Sequence, residues 1–305
     1  MAAKTEKRVK KRVRQSRSDA IFSIVNYSLL TLIMIIVLYP LVYVLSASFS
    51  TPYAVTSGQV WLYPVDFSLV GYETVFRNDS IVSGYINSII ITVAGTLVSL
   101  VVTVMAAYPL SVRDFKGRNL FMGLFTFTMM FSGGLIPMFL WIQKLHLYDT
   151  YWALILPGAV GVYNMIIART FFQTSIPYDL YESASLDGCS DVRYLLSIVI
   201  PLAKPILAVL VMYYGVGYWN QYFNAMIYLA DADKMPLQVV LRNIILQNQI
   251  DPSTMVDVDQ MLQKQGLSEL LKYSLIVVSS VPMLILYPFI QKHFVKGVMI
   301  GALKG

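Results

Sequence analysis

The chain has 305 residues, of which 57% are hydrophobic and 13% charged, with a net charge of +6 and a mean hydropathy of +0.63. Soluble domains carry about 25% charged residues, so this composition excludes an ordinary water-soluble domain and places the chain in a bilayer. A single cysteine, Cys189, leaves no internal disulfide, and His146 and His293, far apart on opposite faces, argue against a histidine metal site.

Residues 1–20 form a basic arm containing Lys4, Lys7, Arg8, Lys10, Lys11, Arg12, Arg14 and Arg17. Either anionic headgroups or nucleic acid would attract it; the lipid surface is the simpler partner, and no nucleic acid is expected. The apolar run from Ile21 to Ser46 far exceeds the roughly 7–15 residues of a signal-peptide core, so it reads as a retained first span. Crossing the hydrocarbon takes about 20 apolar residues, and further windows fall at 85–110, 119–141, 150–170, 205–228 and 270–291. The fold class is therefore an all-α membrane protein with six transmembrane helices occupying 21–291.

Lysines and arginines cluster before the first span, at Arg113, Lys116 and Arg118, at Arg169, Arg193 and Lys204, and at Lys292, Lys296 and Lys304. The alternate loops are acidic, holding Asp66, Glu73, Asp149, Asp231 and Asp233 among others. By the positive-inside rule both termini are cytoplasmic.

Along the chain, 47–84 is an outer loop with turn residues, and "SVRDFKGRN" at 111–119 and "QKLHLYDT" at 143–150 are short loops between antiparallel neighbours. "FSGGLIP" at 131–137 marks a bent or broken helix, serving either close packing or gating. In the outer segment 229–268, Leu237, Val240, Leu241, Ile244 and Ile245 share one helical stripe. That helix lies at the membrane surface or caps the bundle. The polar stretch after it reads either as a partner-facing surface or as a solvated loop.

Residues 171–204 are a polar interruption on the inner face. Pro177 suits a helix first turn, Asp179 and Glu182 its positive end, and Gly188 a left-handed stop. Leu180, Ala184 and Gly188 are spaced i, i+4, i+8 with Ser183 alongside, giving one small face. Ser190 caps a second helix whose stripe is Val192, Leu195, Leu196 and Val199, and Pro201 and Pro205 frame the entry to span five.

The run Glu182-Ser183-Ala184, then Asp187-Gly188, then "IVIPLAKP" at 198–205 resembles the EAA loop of ATP-binding-cassette importer permeases, with Ser183 in place of the usual alanine. "SGQVWLYPVDFSLVGYETVF" at 57–76, "GLIPMFLWIQKLHLYDTYWALILP" at 134–157, "YWNQYFNAMIYL" at 218–229 and the terminal "QKHFVKGVMIGALKG" at 291–305 are similar to the carbohydrate-uptake permeases of the maltose type, nearest the branch importing oligosaccharides from complex polysaccharides such as pectin or alginate. The resemblance implies a type I importer permease fold in the bacterial cytoplasmic membrane. Its implied partners are a second, homologous permease, a dimeric cytoplasmic ATPase that binds the ATP and Mg, and an extracytoplasmic solute-binding protein. It also implies that Leu180, Tyr181, Glu182, Ser183, Ala184, Asp187 and Gly188 form the ATPase-coupling helix, and that the tail 292–305 reaches the ATPases, unless it is merely a frayed end. No phosphate loop occurs in the sequence, so the chain is expected to be a transporter subunit without its own ATPase site, catalytic residues or cofactor.

Span five carries "YYGVGYWNQYFNAM" at 213–226, with Tyr214, Tyr218, Gln221 and Tyr222 expected on one helical face and Gly217, Asn220 and Asn224 on the next. Aromatic faces stack on sugars and amides bond hydroxyls, which suits a saccharide pathway; interhelical hydrogen bonding is the other reading. Asn164 in span four and Ser132 in span three are weaker candidates. Two further classes stay open, a permease for another small solute and a self-contained channel or ion-coupled carrier. The near absence of charge inside the spans speaks against the carrier.

Overall fold

The computed structural model describes residues 16–247 and 258–302, all of whose regular elements are helical. The basic run 4–14, most of the polar stretch after Gln247 and the last three residues of the tail lie outside the described residues. Arg17–Ser48, Asp79–Ser111 and Gln265–Pro288 are each long and apolar enough to cross a bilayer, and three bent helix pairs raise the number to as many as six.

Span one, Arg17–Ser48, starts where the Ser16 side chain accepts the Ser18 N–H at 3.2 Å. Its apolar side chains are exposed all round, as befits a segment solvated by hydrocarbon, and only Ser46, Ala47 and Ser48 at its far end are buried. There it meets span six, with Tyr43 packed edge-on against Tyr273.

Span two, Asp79–Ser111, is the spine. It packs on both span four and span five, and its inward face is built of small or hydroxylated residues: Gly84, Ser88, Gly95, Ser99 and Thr103. Such residues let membrane helices approach closely and supply hydrogen bonds. At its basic end Arg169 donates to the Leu110 carbonyl at 2.9 Å, satisfying a helix terminus that has no internal partner.

The window at 119–141 resolves into Arg118–Met130 and Leu135–Lys144, whose axes differ by 112°. The break falls at the "FSGGLIP" stretch expected to bend or interrupt the helix, and the second half turns away from the first. Gly134 stands at φ +87°, which favours glycine, and Pro137 falls in the first turn of the new helix, where its missing N–H costs nothing. Span four, Trp152–Gly158 plus Val162–Ser175, is bent by 51° near Pro157.

Asp191–Leu202 meets Lys204–Trp219 at 82°. Within the first arm Leu195–Val199 is a π-helical turn, missed by the sequence reading. Pro201 comes two residues after its end; with no N–H and a ring that crowds the carbonyl of Ser197 within the turn, it favours such widening. Span five was expected to continue to 228, but its helix ends at Trp219 and a short helix, Phe223–Tyr228, resumes after a break at 220–222. The amphipathic helix Leu237–Gln247 lays Leu237, Val240 and Leu241 against Ile81, Trp219, Leu271 and Leu275, and so caps the acidic end of the bundle.

Candidate functional site

Two places hold the candidate residues. The first is the helix Tyr178–Leu186 at the basic end. Its stop follows from hydrogen bonding: Gly188 has φ +73°, its N–H reaches the Ser185 carbonyl at 3.0 Å, and the Cys189 N–H reaches the Ala184 carbonyl at 2.9 Å. That is the paired-bond pattern by which a left-handed glycine closes a helix.

The expected small face does not form as one surface. Ala184 is only 9% exposed and packs into the bundle core, whereas Leu180 is 40% exposed and Gly188 lies in open space beyond the helix end. The outward face instead presents Leu180, Glu182, Ser183 and Asp187, together with Leu186 at 89% exposure. Leu186 was not singled out from the sequence. A large apolar residue in the last turn beside a left-handed glycine was the available signal.

The inward side is aromatic. Tyr178 donates to Asp114 Oδ2 at 2.9 Å beneath the Arg113 guanidinium, 4.6 Å from its ring centre. The bond to Asp114 and partial desolvation hold the Tyr178 hydroxyl above its ordinary pKa. Tyr181 packs edge-on against Tyr194 and donates to Asp191 Oδ1 at 3.2 Å. Burial first, and then that carboxylate, raises its pKa too. The helix is thus fastened at one side to the loop between spans two and three and at the other to the arm Asp191–Leu202.

The second place is a cavity of about 470 Å³ between spans four and five toward the acidic end, within the usual range of roughly 300–1,000 Å³ for small-molecule sites. The span-five candidates divide around it. The Tyr214 hydroxyl bonds Thr103 Oγ1 at 2.6 Å and accepts the Gly161 N–H at 3.1 Å. The Tyr218 hydroxyl bonds Ser99 Oγ at 2.9 Å and the Ile155 carbonyl at 3.1 Å. Both rings border the cavity, yet their polar atoms tie spans two, four and five together.

Gln221 donates to the Leu154 carbonyl at 3.2 Å. Because the helix has ended, Gln221 and Tyr222 do not extend a face begun by Tyr214 and Tyr218. Asn220 and Asn224 are exposed on the cavity wall, with Tyr213, Gly217, Tyr222 and Phe223 beside them. Asn164 stands next to Gly161 on span four, off that wall. Tyr213 escaped the sequence reading because its neighbour Tyr214 was given the role.

A third cluster braces this end. Asp149, in the left-handed region at φ +59°, accepts the Ala230 and Asp231 N–H groups at 3.0 and 3.1 Å, and Lys234 Nζ donates to its Oδ2 at 2.8 Å. The lysine bond foremost, then the two amides, lowers the Asp149 pKa to about 2. Asn87 on span two accepts from the Tyr151 hydroxyl at 2.8 Å and donates to the Asp233 and Met235 carbonyls at 2.7 and 3.0 Å.

Residues 99–300 match the family described as the binding-protein-dependent transport system inner membrane component. The Bacillus subtilis (strain 168) polygalacturonan/rhamnogalacturonan transport system permease protein YtcP is 42% identical over 94% of this chain and 99% of its own length. Protein LplC of the same organism is 40% identical over 95% of this chain and 97% of its own. A solved chain from a bacterial ABC transporter involved in the import of the acidic polysaccharide alginate superposes with a TM-score of 0.83 at 37% identity, covering 93% of this chain and all of the other. On these grounds the chain belongs to the inner-membrane permease components of binding-protein-dependent transport systems and has the type I importer permease fold.

Proposed function

We propose that this chain is the permease subunit of an ATP-driven importer for carbohydrate, an oligosaccharide derived from an acidic polysaccharide. The observation that carries the reading is the helix Tyr178–Leu186, which presents exposed Leu180 and Leu186 at the basic end while its tyrosines are fastened to the bundle. An exposed apolar tip on a braced helix is what a soluble partner's cleft can hold and move. The basic end is cytoplasmic by its charge, which puts both termini there. The partners are a second, homologous permease, a cytoplasmic ATPase dimer that binds ATP and Mg, and an extracytoplasmic solute-binding protein.

In this mechanism the chain does no bond-making chemistry. ATPase closure shifts the coupling helix, and Tyr181 passes that shift to Asp191 and Tyr194 in the adjoining arm. The arm turns span five, whose exposed Asn220 and Asn224 face the solute. Support for a saccharide comes from the relatives' substrates and from a cavity that combines aromatic rings with amides, the chemistry that binds sugar faces and hydroxyls.

The test is ATP-dependent uptake by the complete complex in proteoliposomes, supplied with its binding protein and offered galacturonate oligomers, neutral oligosaccharides or amino acids. Uptake of an oligosaccharide that disappears in Gly188→Glu supports the reading. Uptake of amino acids only, or undiminished uptake by that variant, overturns it.

A further inference from the structure

The break at 220–222 leaves Tyr222 outside regular helix, with its ring on the cavity wall. Above that ring, 5.7 Å from its centre, lies the guanidinium of Arg242, carried by the capping helix Leu237–Gln247. Arg242 stands on the side of that helix opposite the buried stripe of Leu237, Val240 and Leu241 and is exposed. Among the described residues it has no carboxylate partner, in contrast to Arg77, Lys234 and Lys272, which are all paired with acids. The cavity wall likewise contains no aspartate or glutamate. A fixed cation therefore stands one aromatic ring away from a sugar-sized cavity, with nothing nearby on that wall to repel an anion.

We propose that Arg242, oriented by Tyr222, recognises the carboxylate of a uronate residue as the oligosaccharide enters the cavity. A guanidinium offers a planar, bidentate fork that matches a carboxylate, and stacking on the ring holds the fork in place with its edges free. The neighbouring aromatic rings and Asn224 take the sugar face and hydroxyls. This inference rests on the carbohydrate reading above and adds to it the residue that reads the substrate's acidic group. The other anion within reach of this helix is a lipid phosphate, which the same guanidinium would bind without regard to the sugar.

The experiment uses the complete complex in vesicles of zwitterionic lipid, and again with anionic lipid added, with a galacturonate oligomer and its methyl ester as probes. For the acid, kcat/KM should fall about tenfold in Arg242→Gln, the scale of one lost charge-assisted hydrogen bond. It should fall further in Arg242→Glu and by an intermediate amount in Arg242→Lys, which keeps the charge but loses the planar fork and its stacking. The methyl ester, which lacks the carboxylate, should lose little with any of the three in either lipid. Equal losses for acid and ester, or a loss that appears only with anionic lipid, would assign Arg242 to anchoring or lipid binding and overturn the inference. A wild-type complex that imports neutral oligosaccharides but not the acid would overturn it while leaving carbohydrate import intact. A complex that imports no saccharide would remove the reading beneath it.

Discussion

Gly95 of span two lies under the ring of Tyr218, so near that a Cβ at that position would stand 2.8 Å from the ring carbons. The ring is held there by its own hydroxyl, bonded to Ser99 one turn along and to Ile155 across the interface. A glycine and a tyrosine thus form one joint among three helices.

Gly95→Ala is expected to push the ring out and strain both hydrogen bonds, costing about 1–3 kcal/mol, the usual range for overpacking. Thermal melting of the purified complex in detergent reads this. Gly123, an exposed helical glycine with no atom within 4 Å of an added Cβ, is the control: Gly123→Ala should be neutral or stabilise by up to about 1 kcal/mol. Equal effects at the two sites would show that close approach at Gly95 is unimportant.

Tyr218→Phe keeps the ring and removes the two buried bonds. Its expected cost is about 1–2 kcal/mol in stability, with substrate preference unchanged. Asn220→Leu and Asn224→Leu should do the reverse, changing the KM for the imported sugar while leaving melting near wild type, since Asn220 donates only to the carbonyl of Val216 in its own helix. A change in sugar preference on Tyr218→Phe would restore that residue to the pathway.

Leu186→Asp alters a side chain that touches almost nothing in this chain. The variant should insert and melt normally yet lose about 2 kcal/mol or more of ATPase affinity if it behaves as a contact hot spot. Co-purification of the ATPase with the permease measures it. Gly188→Glu should behave similarly, with a further local cost of about 1 kcal/mol from the left-handed backbone. Normal recovery of ATPase with both variants would remove this helix from the interface.

Asp149 gives a pH dependence of defined sign. Its folded pKa, about 2, lies below the ordinary value of 3.8, so the folded state prefers the ionised form. Its contribution is complete above the ordinary pKa and is lost as pH falls from about 4 toward 2. The melting difference between wild type and Asp149→Asn should therefore be constant at neutral pH and shrink across that acid window. A difference that is already absent at neutral pH would show that the bond to Lys234 holds nothing.

Hydropathy was enough to find the long apolar helices because it responds to single residues in a fixed window, and Gly188, Ser190 and the prolines mark helix ends by their own backbone chemistry. What those signals miss is relational. The break at 220–222 has no glycine or proline to announce it. The inward turn of Ala184 depends on where the bundle lies, not on its spacing from Leu180. Ser88, Gly95, Ser99 and Thr103 form a visible series of small residues at helical spacing in span two, and reading it as a docking face would have assigned the Tyr214 and Tyr218 hydroxyls to packing. Arg242 and Tyr222 are twenty positions apart and meet only because the capping helix folds back over the break.

In the proposed mechanism, the near-right-angled junction between Asp191–Leu202 and Lys204–Trp219 also sets the kind of motion passed to span five. Two collinear helices would hand on a push as sliding along their common axis, which must drag side chains past a packed neighbour. With the arms set crosswise, a force on the short arm becomes torque on the long one, and the long arm can roll about its axis in place. A roll changes which residues face the pathway without lengthening or breaking span five, so access can be switched by exchanging one wall of the cavity for another.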